Sequence, residues 1–136
     1  VTTLENLDLS ENNSINDSGM PHLSGLKNLK QLNLWRTFVG DSGVENLAGL
    51  TAMEGLNLDN SQISDGCLKH LSGMNKLSFL HLGSTLVSDA GLPALKGLSS
   101  LKDLKVTRTA VTEEGVAELK KSLPDTEIQL RYIAGQ

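Results

Sequence analysis

The same apolar pattern returns along this chain every 24 residues, and that period limits the fold more than any other feature. Leu29, Met53, Leu77 and Leu101 hold one position of the unit. Leu32, Leu56, Leu80 and Leu104 hold a second, and Leu34, Leu58, Leu82 and Val106 a third. Val39, Ile63, Val87 and Val111 follow, then Asp41, Asp65, Asp89 and Glu113, then Leu47, Leu71, Leu95 and Leu119. A fixed period with fixed apolar positions marks stacked coils, each burying its face against its neighbours. Such folds present broad surfaces, which argues against an enzyme with a deep catalytic pocket.

Residues 77–100 show one unit in full. Leu80 and Leu82 alternate with Phe79, His81 and Gly83, a period of two that predicts a short strand with one buried face. Thr85 ends the strand, with Asn12, Thr37, Ser61 and Thr109 as its counterparts. The chain turns there, and a short polar side chain is expected to bond the backbone of the neighbouring coil. Ser88 and Asp89 predict a helix start, with a capping hydroxyl and an acid at the positive helix end. Leu92, Leu95 and Leu98 form one face of a short helix. Gly25, Gly49, Gly73 and Gly97 stand where that helix stops, and a left-handed C-cap is expected at them. A second glycine column, Gly19, Gly43, Gly91 and Gly115, is expected to let adjacent coils approach closely. Every unit repeats one path, so the strands run parallel on one side and the helices lie on the other.

The pattern LxxLxLxxT, an aliphatic residue, an acid and a GLxxLxGL helix resembles the leucine-rich repeat, from Leu4 to about Leu130. The short convex helix is similar to the bacterial and ribonuclease-inhibitor-like subclasses, and the tandem form to repeats of planctomycete-type bacterial proteins. The resemblance implies an α/β fold: a right-handed, horseshoe-like solenoid with a parallel sheet on the concave face and short helices on the convex face. It also implies binding of other macromolecules and no reaction.

The whole chain, residues 1–136, is read as a single domain of about five repeats plus a terminal strand. Unit one is a residue longer, in Asn12–Ile15, so its loop should bulge. Cys67 falls in the glycine column of unit three and is expected to be a small buried side chain. Val1 to Leu4 align with Leu50 to Met53, so the chain is expected to begin in mid-array. At the other end, Val116, Leu119 and Leu123 suit a longer helix, and Ile128 and Leu130 a last strand. The chain is therefore read as the C-terminal part of a longer protein, with self-association through the uncapped N-terminal edge as a consequence.

A net charge of −4 and a pI near 5.3 argue against nucleic acid or an anionic membrane as the partner. No apolar run is long enough to insert in a membrane. One cysteine excludes an intrachain disulfide framework. Asn12 and Asn16 match the N-glycosylation pattern, which polar loops produce by chance. No motif for nucleophilic catalysis, phosphate binding or structural zinc is present, and no cofactor is expected.

Function is expected on the outward half of the strands. Across them the sequence gives three columns. Asn6, Gln31, Gly55, Phe79, Asp103 and Glu127 form the first. Asp8, Asn33, Asn57, His81, Lys105 and Gln129 form the second, and Ser10, Trp35, Asp59, Gly83, Thr107 and Arg131 the third. Trp35 and Phe79 stand out in a chain so poor in aromatics, and Tyr132 flanks the last strand. The candidate binding residues are Trp35, Phe79, His81, Asn57, Asp59 and Asn33, with Gly55 and Gly83 leaving room beside the aromatics. His81 has Asp59 and Asp103 on its diagonals, but such neighbours lie about 7–8 Å apart, too far for direct metal coordination. The expected role is protein–protein interaction. The alternatives are a carbohydrate-binding surface, with the aromatics stacking on sugar, and a targeting domain of a larger enzyme such as a kinase or ubiquitin ligase.

Overall fold

The computed structural model describes residues 3–131. Six three-residue strands form one sheet in chain order, every neighbouring pair parallel: β1 (Asn6–Asp8), β2 (Gln31–Asn33), β3 (Gly55–Asn57), β4 (Phe79–His81), β5 (Asp103–Lys105) and β6 (Glu127–Gln129). The register places Leu32, Leu56, Leu80 and Leu104 side by side, as the period predicts. Their side chains are buried and join Leu34, Leu58, Leu82 and the aliphatic column Val39, Ile63, Val87 and Val111 in one continuous core. The extra residue of unit one is absorbed in the turn at 12–15, where Asn12 accepts the Ser14 N–H. Downstream of it, Asn16 bridges to Phe38 with the same offset as Gly40 to Gln62 and Ser64 to Leu86.

The returning segments are tighter than expected. Residues 17–23, 65–71 and 89–95 are 3₁₀ helices. The second coil has one α turn, α1 (Asp41–Val44), that continues as 3₁₀ over Glu45–Leu47. The leucine spacing of three in residues 92–98 is itself the 3₁₀ repeat, which stacks side chains at i and i+3. Only α2 (Glu113–Ser122) is a long helix, as its sequence predicts.

Two backbone expectations are corrected. None of Gly25, Gly49, Gly73 and Gly97 is left-handed, because the 3₁₀ segments run on into further right-handed turns. Nothing in the structure explains why glycine stands at these four positions. Left-handed backbone occurs instead at the turns that leave β1 to β5, at Glu11, Arg36, Asn60, Ser84 and Arg108, with φ from 52 to 57°. The second correction concerns the polar column after the strands. Thr37, Ser61, Thr85 and Thr109 donate to carbonyls three residues back in their own coil, not to the neighbouring coil. The hydroxyl sits over its own sharp turn, so the nearest carbonyl satisfies it.

The tie between coils on the helical side comes from the acid column. Asp41 accepts the backbone N–H and the hydroxyl of Ser64, at 2.7 and 2.5 Å. Asp65 does the same for Ser88, and Asp89 for Thr112. In the first coil, Asp17 takes the N–H of Gly40 and the hydroxyl of Ser42. Each carboxylate thereby tethers the helix start of the following coil. This explains three of the four glycines of the second column. A Cβ at Gly43, Gly91 or Gly115 would overlap the carboxylate of Asp17, Asp65 or Asp89, whereas a Cβ at Gly19 meets nothing within 4 Å. Cys67 occupies that column in unit three. It is fully buried and donates to the Ser64 carbonyl. Burial first, then the neighbouring Asp41 carboxylate, push its thiol up to about 12, which keeps it protonated and unreactive.

The glycine column gives a paired test. Gly91→Ala is expected to lose roughly 1–3 kcal/mol by forcing the Asp65 carboxylate aside. Gly19→Ala is expected to be neutral or to gain up to about 1 kcal/mol. Equal urea midpoints for the two variants would show that the carboxylate contact does not set the column.

The N-terminal coil is the least covered. Leu4, Leu7, Leu9, Ile15, Leu23 and Leu26 are only partly buried, while their counterparts in the middle coils are fully buried. The alignment of Val1 and Thr2 lies outside the described residues. At the other edge Ile128 and Leu130 are also only partly buried. In hydrogen exchange, amides of residues 4–26 are expected to exchange faster than those of residues 80–120. Uniform protection across both spans would contradict this.

Candidate functional site

The sheet face turned away from the core carries the three predicted columns, and the register confirms the first two pairwise. The second column is partly spent on the fold. Asp8, Asn33 and Asn57 each accept the N–H two residues ahead, from Ser10, Trp35 and Asp59. His81 does the same through Nδ1, which accepts the Gly83 N–H at 3.1 Å. An acceptor on a short side chain at strand position i can fold back onto i+2, and these four residues cap their own strand ends.

Two hollows divide the face. The first, about 490 Å³, lies over β1 to β4 and is lined by Asn6, Asp8, Gln31, Asn33, Asn57 and Phe79, among others. The second, about 530 Å³, lies along the strand ends and the turns after them, from Trp35 and Arg36 to Gln129. The six candidate residues are therefore not one patch. Asn33, Asn57 and Phe79 border the first hollow, and Trp35, Asp59 and His81 the second. Phe79 and His81 meet edge to face with ring centroids 6.3 Å apart, so this pair joins the two. Trp35 and Phe79 are half-buried rather than fully exposed. The Arg36 guanidinium lies 5.7 Å from the Trp35 ring centroid.

Gly55 and Gly83 do not leave open space. A Cβ at Gly55 would overlap the amide of Gln31, which folds over it. A Cβ at Gly83 would lie 2.7 Å from His81, 2.8 Å from Thr107 and 2.9 Å from Asp59. These glycines let polar side chains pack against the sheet. His81 Nε2 lies 3.9 Å from Asp59 Oδ2, nearer than the backbone spacing suggested. Among the described residues, no group of three His, Cys, Asp or Glu side chains is placed to hold a metal. Burial pushes His81 below the usual histidine range; Lys105 adds to this, and Asp59 and Asp103 oppose it.

The sequence reading missed two exposed apolar residues, Phe38 and Leu86, on the flank beyond the strand turns. They share one column with Gln62 and Ala110, which the 24-residue alignment shows to vary from unit to unit. It also missed the left-handed column, which carries no glycine to announce it. A smaller hollow of about 240 Å³ lies on the helical side between residues 89–96 and α2. Asn12 and Asn16, in the glycosylation patterns, cap local turns through their side-chain oxygens. Tyr132 lies outside the described residues. No described helix is long and apolar enough to cross a membrane.

The depressed pKa of His81 makes a prediction. The folded chain keeps this imidazole neutral, while the unfolded chain takes up a proton below pH about 6.5. Its contribution to stability is present above that pH and is lost as pH falls through it toward the lower folded value. His81→Asn restores the residue used at Asn33 and Asn57 and keeps an acceptor for the Gly83 N–H. The unfolding free energy from urea titration at pH 7.5 is expected to change by less than about 0.5 kcal/mol. The fall in stability between about pH 6.5 and 5 should be smaller than in the parent. An unchanged acid-side fall would assign it to other groups.

No protein-family model matches the sequence, and no curated protein sequence matches it. Solved structures do match in shape. A leucine-rich repeat protein of Leptospira interrogans superposes with a TM-score of 0.59 at 19% identity, over 93% of this chain and 37% of that one. A TDR receptor superposes with a TM-score of 0.71 at 21% identity, over 96% of this chain and 26% of that one. The chain thus spans well under half the length of either neighbour. Six parallel strands in one open sheet, the first four joined to the next by short helical returns and the fifth by α2, give this chain the leucine-rich repeat solenoid fold.

Proposed function

We propose that this chain is a recognition module, not an enzyme, and that it binds a protein partner on the open face of the sheet. The carrying observation is that two hollows, of about 490 and 530 Å³, lie on that one face and meet at the Phe79–His81 pair. Together they offer half-buried aromatic rings among amides and charges, the mixture that favours polypeptide recognition. The fold supports the reading, since stacked repeats use extended faces of this kind. One structural neighbour is itself described as a receptor.

Peptide display selected against the chain tests the reading. Trp35→Ala and Phe79→Ala are expected to weaken selected ligands by more than about 1 kcal/mol each. Trp35→Ala is expected to cost only about 0.5 kcal/mol of stability. Lys96→Glu, on the helical side, should leave binding unchanged. Ligands sensitive to Lys96→Glu and indifferent to both aromatic variants would move the site to the convex side. Selection of glycans in place of peptides, with the aromatics still required, would replace the protein partner by a carbohydrate.

A further inference from the structure

The two hollows of the sheet face differ in charge. No cation lines the first, whose only ionisable group is Asp8. The second is lined by Arg36, Lys105 and Arg108 against one carboxylate, Asp59. This is a local reversal in a chain with 12 basic and 16 acidic residues. Arg36 and Lys105 pair with Glu11 and Asp103, both at 3.6 Å, and neither acid lines the hollow. The Arg36 pair is long and exposed and holds its partners weakly, so this cation is available to a better-placed anion. Lys105 is less exposed and also donates to Gln129, which itself lines the hollow, so its ammonium is held at the hollow's wall.

Size and shape narrow the occupant. The hollow reaches from Trp35 beyond β2 to Gln129 on β6. That is four strand spacings, about 19 Å, the length of about six extended residues. Trp35 stands at the end nearest the N-terminus and offers an apolar seat. Resting on the sheet-face reading above, we propose that the second hollow binds an extended acidic polypeptide segment of about six residues. It lies across the strands, its carboxylates on Arg36, Lys105 and Arg108 and an apolar side chain against Trp35. A nucleic acid strand is the competing polyanion. The net charge of −4 repels a long polyanion, while a short peptide places all its charges inside the cationic hollow.

Trp35 is the only tryptophan, so its fluorescence reports directly on this site. The probe is a capped six-residue peptide with a leucine at one end and three glutamates. Its controls are the same peptide with glutamine or lysine for glutamate, and a six-nucleotide thymidine strand. The acidic peptide is expected to bind at least about tenfold more tightly than the glutamine peptide. Its affinity should fall as salt rises from about 50 to about 500 mM. Lys105→Glu combined with Arg108→Glu should weaken it at least about tenfold, and Arg36→Glu gives an independent test should the double variant fail to fold. Equal binding of the glutamine peptide, indifference to charge reversal, or equal binding of the nucleotide strand would overturn the proposal. If displayed ligands still need Trp35 and Phe79 but ignore charge reversal, the acidic partner falls and the recognition reading stands. If no ligand depends on the sheet face, both fall.

Discussion

Each inner strand, β2 to β5, exchanges backbone hydrogen bonds with the strands of the coils on either side, and that parallel ladder sets the coils about 4.8 Å apart. The spacing has consequences on every side of the coil. On the inside it stacks Leu32, Leu56, Leu80 and Leu104 with no gap, so each coil's core is closed by the next. A single coil has no such closure, which is why its stability depends on its neighbours. On the helical side the same spacing brings each acid of the column within reach of the next coil's helix start. There one carboxylate satisfies a backbone N–H and a hydroxyl together, in three successive coils.

The acid and glycine columns are one device. In three coils the carboxylate reaches the following coil by passing over the position that Gly43, Gly91 and Gly115 keep bare. Gly19 is in the same column with no carboxylate over it, because no described coil precedes its own. Cys67 is the one departure, and its thiol takes part in the contact by lying beside Asp41 and donating to Ser64.

On the sheet face, the fold and the candidate site draw on the same side chains. Asn33, Asn57 and His81 cap their own strand ends, so what they present to a partner is what remains after that bond. The first and third columns are freer to vary, and there the chain places Phe79 and Trp35. The split between an amide-lined hollow and a cation-lined one follows from which columns each hollow samples, not from any clustering along the sequence.

The sequence by itself determined the number of strands, their parallel order, their register and the buried columns, because a fixed period leaves only one way to align each coil on the next. It also placed the outward columns and the longer last helix. It did not reveal that the returns are mostly 3₁₀, that the strand-end hydroxyls serve their own coil, or that left-handed backbone falls on Arg36 and Ser84 rather than on glycine. Those are decided by the distance between atoms in a tight turn, and residue type records them poorly. The partition of Trp35, Phe79 and His81 between two hollows was likewise a matter of tertiary structure. It depends on where side chains from different coils fold, such as Gln31 over Gly55, and 24 residues of separation hide that contact from any local pattern.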